Sequence, residues 1–477
     1  MSKILIALIT LFTVGFAQRT YAADFSQERH DAWETFTQHN IEGYTSYPAY
    51  GLLFDAGSCN LTSNDSCDYA VSEGAGYGLI LAATQKDQAT FDKIFAATEK
   101  WMWNGHSYDW KIATDGAKWG TNAATDADED VAFALIMADQ LQKSGVWSAN
   151  SAYRAKAQVL INNIFDYMTE NDYLYPGDVF GSPQELNLSY FAPAWYRVFD
   201  EYESTDHDWQ GVIDKQYEIL LRVAERYNGI IPDWCTENGD PTPTGRPYNM
   251  TYDAIRIPWR IGIDALWNSE PRAQEYLDKV FPTVLDVSGV TGIKMYDLSG
   301  NAVEWHNELS VAMWAAGVQG SSQDASIKEA FIDELRSFYN PSEKAFSAKD
   351  PDADWRYYNQ ALAQLGAATI DESLYNPLGK SQQQEVIHKV YKKIVHFQGR
   401  KILVKVARTG DRYVVSLFER SKKIQTVTGK KEQRFFKKKY SADSTLKHIR
   451  VRHHTLVLQH AGGMKKIIRL YLGVEAR

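Results

Sequence analysis

Ala124-Thr125-Asp126-Ala127-Asp128-Glu129-Asp130-Val131-Ala132 places four carboxylates within five residues, directly ahead of an apolar run. Thr125 with Asp128 three positions on has the form of a capping box, so a helix is predicted to start here. Acidic residues in a first turn meet free backbone N–H groups and the positive end of the helix dipole. The run that follows, Val131 to Ala138, is apolar on every side, as a buried helix requires. The stretch therefore reads as a solvent-facing acidic cap on a core helix. Its plain meaning is helix-start chemistry; its sharper meaning is a carboxylate cluster at the rim of a cleft. As an EF-hand calcium loop it fails, because Val131 stands where the loop needs Gly and Met137 where it needs Glu.

Outward from this stretch the pattern stays helical. Helices are predicted over 27–40, 91–102, 151–169, 208–227 and 251–267, with others before and after, about a dozen up to residue 370. Few strands are convincing there. Helices joined by alternating short and long loops fit a bundle or an α-barrel. One helix begins at Ala70-Val71-Ser72-Glu73-Gly74-Ala75-Gly76-Tyr77-Gly78. Its glycines would weaken an isolated helix by roughly 1 kcal/mol each relative to Ala, but in a packed one they admit a neighbour or a ligand. Asp253 lies in Tyr252-Asp253-Ala254-Ile255-Arg256-Ile257-Pro258-Trp259-Arg260, between aromatics and arginines. Its plain reading is an i,i+3 ion pair with Arg256. Taken together, Glu73, Asp253 and the acidic stretch suggest paired carboxylates across an aromatic cleft, the machinery of glycoside hydrolysis. The 14 Trp and 28 Tyr suit stacking on sugar rings, and equally a large aromatic core. Neither nucleotide-binding glycine motif occurs, and no Cys/His spacing suits a structural metal, so no cofactor and no metal are indicated.

Four segments, AVSEGAGYG (70–78), ATDADEDVA (124–132), SYFAPAWY (189–196) and YDAIRIPWR (252–260), resemble the main motifs of glycoside hydrolase family 8, in that family's order. The resemblance covers roughly residues 25–375. It implies an all-α fold, an (α/α)6 barrel of twelve helices, and inverting endo-hydrolysis of a β-1,4-linked glucan such as cellulose or mixed-linkage β-glucan. Chitosan, xylan and a non-catalytic polysaccharide-binding role on the same fold are the alternatives. Residue by residue, Glu73 is similar in position to the general acid, Asp253 to the general base, and Asp126 to the carboxylate that grips the sugar being cleaved. Asp128, Glu129 and Asp130 are left as helix-start chemistry, with Glu129 on an exposed face. Tyr196 and Arg256 resemble residues that contact that sugar or the water. Trp110, Trp119, Trp195, Tyr190 and Tyr358 are candidates for stacking on the substrate, each with core packing as its plain reading.

Residues 1–22 read as an export signal: Lys3, then apolar Ile4 to Ala17, then small residues before Ala23. The apolar run is too short to span a bilayer. The remainder is expected to be secreted or periplasmic. Cys59 and Cys67 could pair, leaving Cys235 unpaired and buried.

Residues 23–379 form the expected catalytic domain. Residues 380–477 are of another kind, with 25 Lys+Arg against 6 Asp+Glu, a net of +19, which leaves −28 for residues 1–379. Runs such as 401–407 and 413–418 around Thr409-Gly410-Asp411 signal a hairpin, and 449–452, 455–459 and 466–472 repeat the period. The segment is expected to be a small basic β-rich module, entered through a helix-like connector over 382–396. It suits either docking on the acidic domain or an anionic partner, such as an acidic polysaccharide, lipopolysaccharide or a membrane surface. Nucleic acid is weakly supported, because no known binding motif occurs.

Overall fold

The computed structural model describes residues 23–54, 69–303, 306–349 and 357–379, and eight strands within 387–469. The export signal of residues 1–22 and the pair Cys59 and Cys67 lie outside the described residues. Cys235 is a buried free thiol. The chain divides into two compact units, Met1–Leu378 and Gly379–Arg477.

Twelve α-helices lie among the described residues of the first unit. They are α1 (Ser26–Asn40), α2 (Ser72–Gln85), α3 (Gln88–Trp101), α4 (Thr125–Lys143), α5 (Ser151–Met168), α6 (Pro193–Tyr202), α7 (Trp209–Arg226), α8 (Ile257–Asn268), α9 (Pro271–Ser288), α10 (Glu308–Gln319), α11 (Ala325–Arg336) and α12 (Tyr357–Ile370). The even-numbered helices pack in sequence, α2 on α4, α4 on α6, α6 on α8, α8 on α10 and α10 on α12, and α12 packs back on α2. That closes an inner ring. The odd-numbered helices lie outside it, each against an even-numbered neighbour. The result is an (α/α)6 barrel.

Burial follows the two rings. From Leu79 to Ala83 every residue of α2 is buried, and so is every residue of α4 from Thr125 to Asp139 and of α10 from Glu308 to Val318. Outer helices such as α7 and α9 bury one stripe and show the amphipathic period that marks a surface helix. Two glycines in α2 set how closely the inner ring can close. A Cβ at Gly76 would meet the Asp130 Cβ at 2.8 Å, and one at Gly74 would meet the Tyr357 ring at 3.0 Å. The neighbour that the glycines admit is thus the adjoining helix on each side.

Short strands trim the ring. β1 (Tyr69–Val71) runs into α2 and pairs antiparallel with β2 (Lys111–Ala113), which pairs with β3 (Lys118–Gly120). β4 (Thr169–Glu170) pairs with β5 (Tyr173–Leu174), and β6 (Tyr339–Asn340) with β7 (Ala345–Phe346).

The second unit holds two antiparallel meanders of four strands each. One comprises β8 (Ile387–Phe397), β9 (Arg400–Thr409), β10 (Arg412–Glu419) and β11 (Lys422–Lys430). The other comprises β12 (Phe435–Lys439), β13 (Leu446–Arg452), β14 (Thr455–His460) and β15 (Lys465–Arg469). The hairpin expected around Gly410 joins β9 to β10, with Thr409 opposite Arg412. The helix-like connector does not form. Most of it is β8, paired with β9 through a register shift between Ile387 and Val390. Its β-branched residues Ile387, Val390, Ile394 and Val395 favour that outcome over a helix.

Candidate active site

The inner-ring helices bring their N-terminal ends to one site. Glu73 is in the first turn of α2, Asp126 in the first turn of α4, and Tyr357 at the start of α12. Asp253 precedes, and Arg256 ends, a short 3-10 turn (Ala254–Arg256) that leads into α8. Carboxylates at these ends gain from the positive poles of the helices.

Arg256 is the hub, and its side chain is wholly buried. Its Nη1 donates to Glu73 Oε2 at 2.7 Å, Asp126 Oδ2 at 2.7 Å and the Tyr77 hydroxyl at 2.9 Å. Its Nη2 donates to Asp253 Oδ1 at 3.0 Å and Ser189 Oγ at 2.8 Å. The helical ion pair expected from spacing is therefore present, and it is one arm of a larger cluster. Three carboxyls share one guanidinium, and each of its terminal nitrogens serves a different proton-transfer candidate.

Exposure separates the three. The Asp126 side chain is sealed at 1%, whereas Glu73 keeps 17% and Asp253 32%. Burial pushes the Glu73 carboxyl up to about 8; the Asp126 and Asp253 charges add to the rise, while Arg256 and the Tyr357 hydroxyl oppose it. The Tyr357 hydroxyl donates to Glu73 Oε1 at 2.8 Å. Burial also raises the Asp253 carboxyl and the Asp126 charge adds to the rise, while Arg256 opposes it together with Trp234, whose Nε1 donates to Oδ2 at 3.0 Å. The arrangement can hold a proton on Glu73 at neutral pH while a second carboxyl faces solvent beside it. Among the described residues no group of three His, Cys, Asp or Glu could hold a metal ion.

The rest of the acidic stretch is not a solvated cap. Ala124, not Thr125, precedes the helix, and it makes no side-chain cap. The Thr125 hydroxyl instead donates to the Tyr175 carbonyl. Asp128, Glu129 and Asp130 are completely buried. Asp128 accepts the backbone N–H of Tyr108 at 3.2 Å. Asp130 accepts both Arg260 terminal nitrogens at 3.0 and 2.9 Å and the Trp195 Nε1 at 2.7 Å. Glu129 accepts the Tyr196 hydroxyl and lies 3.4 Å from Arg260 Nη1. The expected exposed face for Glu129 is thus corrected: Arg260, one turn along α8, supplies the charge that makes burial tolerable.

Tyr196 and Trp195 go with this lower cluster, not with the cleft. Tyr196 is fully buried and stacks on Trp209 at 5.1 Å. Trp195 is buried and stacks on Phe133 at 3.8 Å. Tyr190 does reach the site. The Arg256 guanidinium lies 5.5 Å from its ring centre, and burial with the Asp126 and Asp253 charges keeps its phenol protonated far above the usual range. Tyr358 is half-buried, donates to the Tyr252 carbonyl and lies beside Tyr77. Trp110 and Trp119 are 42% and 48% exposed. They flank the strand pair that feeds α2, where Ser72 donates its N–H to the Trp110 carbonyl at 3.0 Å. Tyr357, Trp234 and Asp233 were not singled out in the sequence. Tyr357 sits next to a residue that was, and its packing on Gly74 and its bond to Glu73 tell the two apart.

A two-ring α-barrel with paired carboxyls at one opening has the parts that glycoside hydrolysis needs. The chain matches the model of the Glycosyl hydrolases family 8 over residues 17–369, and it belongs to that family. It is similar to Endoglucanase 2 of Ruminiclostridium josui, 34% identical over 295 residues, which are 58% of this chain and 63% of the relative. It is also similar to Endoglucanase A of Acetivibrio thermocellus, 34% identical over 325 residues, 65% of this chain and 63% of the relative. The match thus spans less than two thirds of the length of either relative. Among solved structures it resembles a variant of Rex8A from Paenibacillus barcinonensis complexed with xylose. The TM-score is 0.59 at 18% identity, over 75% of this chain and 97% of the other. At that identity the likeness is one of fold.

Proposed function

We propose that the chain cleaves internal β-1,4 linkages of a glucan with inversion, Glu73 acting as general acid and Asp253 as general base. The observation that carries this is the shared guanidinium of Arg256, which holds both carboxyls at one opening with Glu73 pushed up to about 8. Glu73 then enters the reaction protonated and gives its proton to the departing glycosidic oxygen. Asp253, the more exposed of the pair, takes a proton from the water that attacks the anomeric carbon from the opposite face. Asp126 is assigned to the sugar being cleaved by its motif, and Arg256 holds Asp126 and both proton carriers together from beneath, with the Tyr190 ring beside it. Trp110 and Trp119 offer exposed faces for further sugar rings.

The glucan reading is supported by the names of the two endoglucanase relatives. A second reading, xylan, is supported by the structural neighbour that holds xylose. Reducing-sugar release from carboxymethylcellulose, lichenan, xylan and chitosan tests both. Release from lichenan or carboxymethylcellulose ahead of xylan is expected, and release from none of the four would favour a binding protein on the same fold. A β-anomer as the first product seen by NMR of a β-linked substrate would overturn inversion. Asp126→Ala should cripple turnover and leave both limbs of the pH profile in place; loss of a limb would return Asp126 to proton transfer.

Residues 23–379 are the proposed catalytic domain, exported by residues 1–22 to the periplasm or the medium. For residues 380–477 the proposed role is to meet an anionic partner, on the strength of their net charge of +19.

A further inference from the structure

Asp253 lies on a turn that its own residues hold from one side, where the Arg256 N–H and Nε donate to the Asp253 carbonyl and Nη2 to its carboxyl. The 3-10 turn that follows has no side-chain cap from Asp253, and the chain on the other side comes from a long loop. The rest of its geometry is imposed from residues 233–235, about twenty positions earlier. Asp233 is buried, and its Oδ1 accepts the backbone N–H of Thr251 at 2.9 Å and of Ala254 at 2.8 Å. Its other oxygen accepts the Thr251 hydroxyl. One carboxylate thereby clamps the backbone on both sides of Asp253. The next residue, Trp234, is also buried, and its Nε1 reaches the Asp253 carboxyl itself at 3.0 Å.

The clamp is itself anchored. Asp233 N–H donates to the Asn249 carbonyl at 2.7 Å, and Trp234 N–H to the Pro247 carbonyl at 3.1 Å. Cys235 and Leu186 exchange both backbone hydrogen bonds, at 2.9 and 3.0 Å, which ties the segment to the start of the 186–191 stretch that supplies Ser189 and Tyr190. The Trp234 ring is held between Arg246, 4.6 Å from its centre, and the edge of Tyr190 at 6.3 Å.

We propose that Asp233 and Trp234 are positioning residues for Asp253, Asp233 setting the turn that carries it and Trp234 aiming its carboxylate. The proposal rests on Asp253 being the base. Deprotonated Asp253 is faced by the Arg256 cation, the Asp126 and Glu73 carboxyls, Asp233, and the phenols of Tyr190 and Tyr358. The Trp234 N–H adds to the pull of Arg256 in favouring the charged form, so its loss lets the carboxyl hold its proton to higher pH.

The test uses the full chain and the polysaccharide of the panel that the wild type cleaves fastest, with kcat, KM, pH profile and Tm measured for each variant. Asp233→Ala is expected to lower kcat about a hundredfold with KM little changed, as a misplaced catalytic group does. Asp233→Asn keeps an Oδ1 for the two backbone N–H groups and is expected to restore most of that loss. Trp234→Phe is expected to lower kcat and to move the acid limb of the kcat/KM profile to higher pH. Wild-type kcat in Asp233→Ala, or equal losses in Asp233→Ala and Asp233→Asn, would overturn the clamp. A rise in KM alone in Trp234→Phe would make Trp234 a sugar-stacking residue and overturn its role in aiming. Asp253→Asn is the control: if it stays active the base assignment has failed, and if it is inactive while the other variants match wild type the positioning inference has failed.

Discussion

Two arginines four residues apart on one chain segment organise two carboxylate clusters. Arg256 joins Glu73, Asp126 and Asp253 at the opening of the barrel; Arg260, one turn deeper, joins Asp130 and Glu129. The chemistry of the groups is nearly the same. What differs is access to water. In the upper cluster two carboxyls keep a solvent-facing side, so a proton can come and go. In the lower cluster every charged side chain is sealed. There the remaining partners are Trp195 and Tyr196 side chains that tie α4 to α6, while Arg260 ties α4 to α8. A buried ion pair of that kind fixes how three inner helices meet, and it offers no route for a proton. The contrast teaches that charge density alone does not mark a site; a half-open pair on a shared cation does.

The sharpest way to break the comparison is to remove one proposed proton carrier from the upper cluster. Glu73→Gln is expected to lower kcat by about a hundredfold to ten-thousandfold, the range that general acid catalysis commands. Its Tm should stay close to wild type at pH 5. Near wild-type turnover would take the acid role away from Glu73.

The lower cluster should answer in stability instead. Arg260→Met leaves Asp130 and Glu129 buried without their cation, at a cost of roughly 3–5 kcal/mol. A fall of many degrees in Tm is expected, with KM unchanged in whatever fraction stays folded. A variant that keeps its Tm but loses turnover would move Arg260 into the site and dissolve the distinction.

How much of this was legible in the sequence follows from the same contrast. Glu73, Asp126, Asp253 and Arg256 were legible because each sits inside a short motif whose order along the chain is distinctive. The barrel was legible as a dozen helical periods, though not its ring order, which depends on α12 closing on α2. Burial of Asp128, Glu129 and Asp130 was not legible, because the arginine that compensates two of them lies 130 positions on. Tyr196 is a site candidate by resemblance and Trp195 by its aromatic ring, and nothing local in the sequence shows that their polar partners are the buried Glu129 and Asp130. Asp233 gives no local signal at all, since its role is to accept N–H groups from a turn that only the folded loop brings near. Strand β8 was read as helical because lysines and histidines hide its β-branched residues.

The Glu73 carboxyl also ties activity to stability. Its value rises on folding from 4.5 to about 8, so the folded protein binds a proton there that the unfolded chain releases. That contribution is fully present below about pH 4.5 and is lost as pH rises toward and through 8. Glu73→Gln has no such proton to lose. Relative to wild type, its Tm should therefore climb between pH 5 and 8, and the gap should close in acid. Parallel Tm curves for the two proteins across that range would mean that burial does not raise Glu73, and the upper cluster would then differ from the lower one only in exposure.

The smallest effect expected is at Tyr357. Its hydroxyl donates to Glu73 Oε1 and so favours the ionised carboxyl, against the much larger pull of burial. Tyr357→Phe removes that donor and keeps the ring that packs against Gly74. Glu73 should then hold its proton to still higher pH, and the basic limb of the kcat/KM profile should move up by about one unit, the scale of one hydrogen bond to a charged group. Turnover at neutral pH, where the acid is already protonated, should change only a few-fold. A limb that moves down instead would mean that the phenol accepts from a protonated Glu73. The Glu73 proton would then point at the Tyr357 oxygen in the free enzyme, and substrate would have to break that bond before Glu73 could act as the acid.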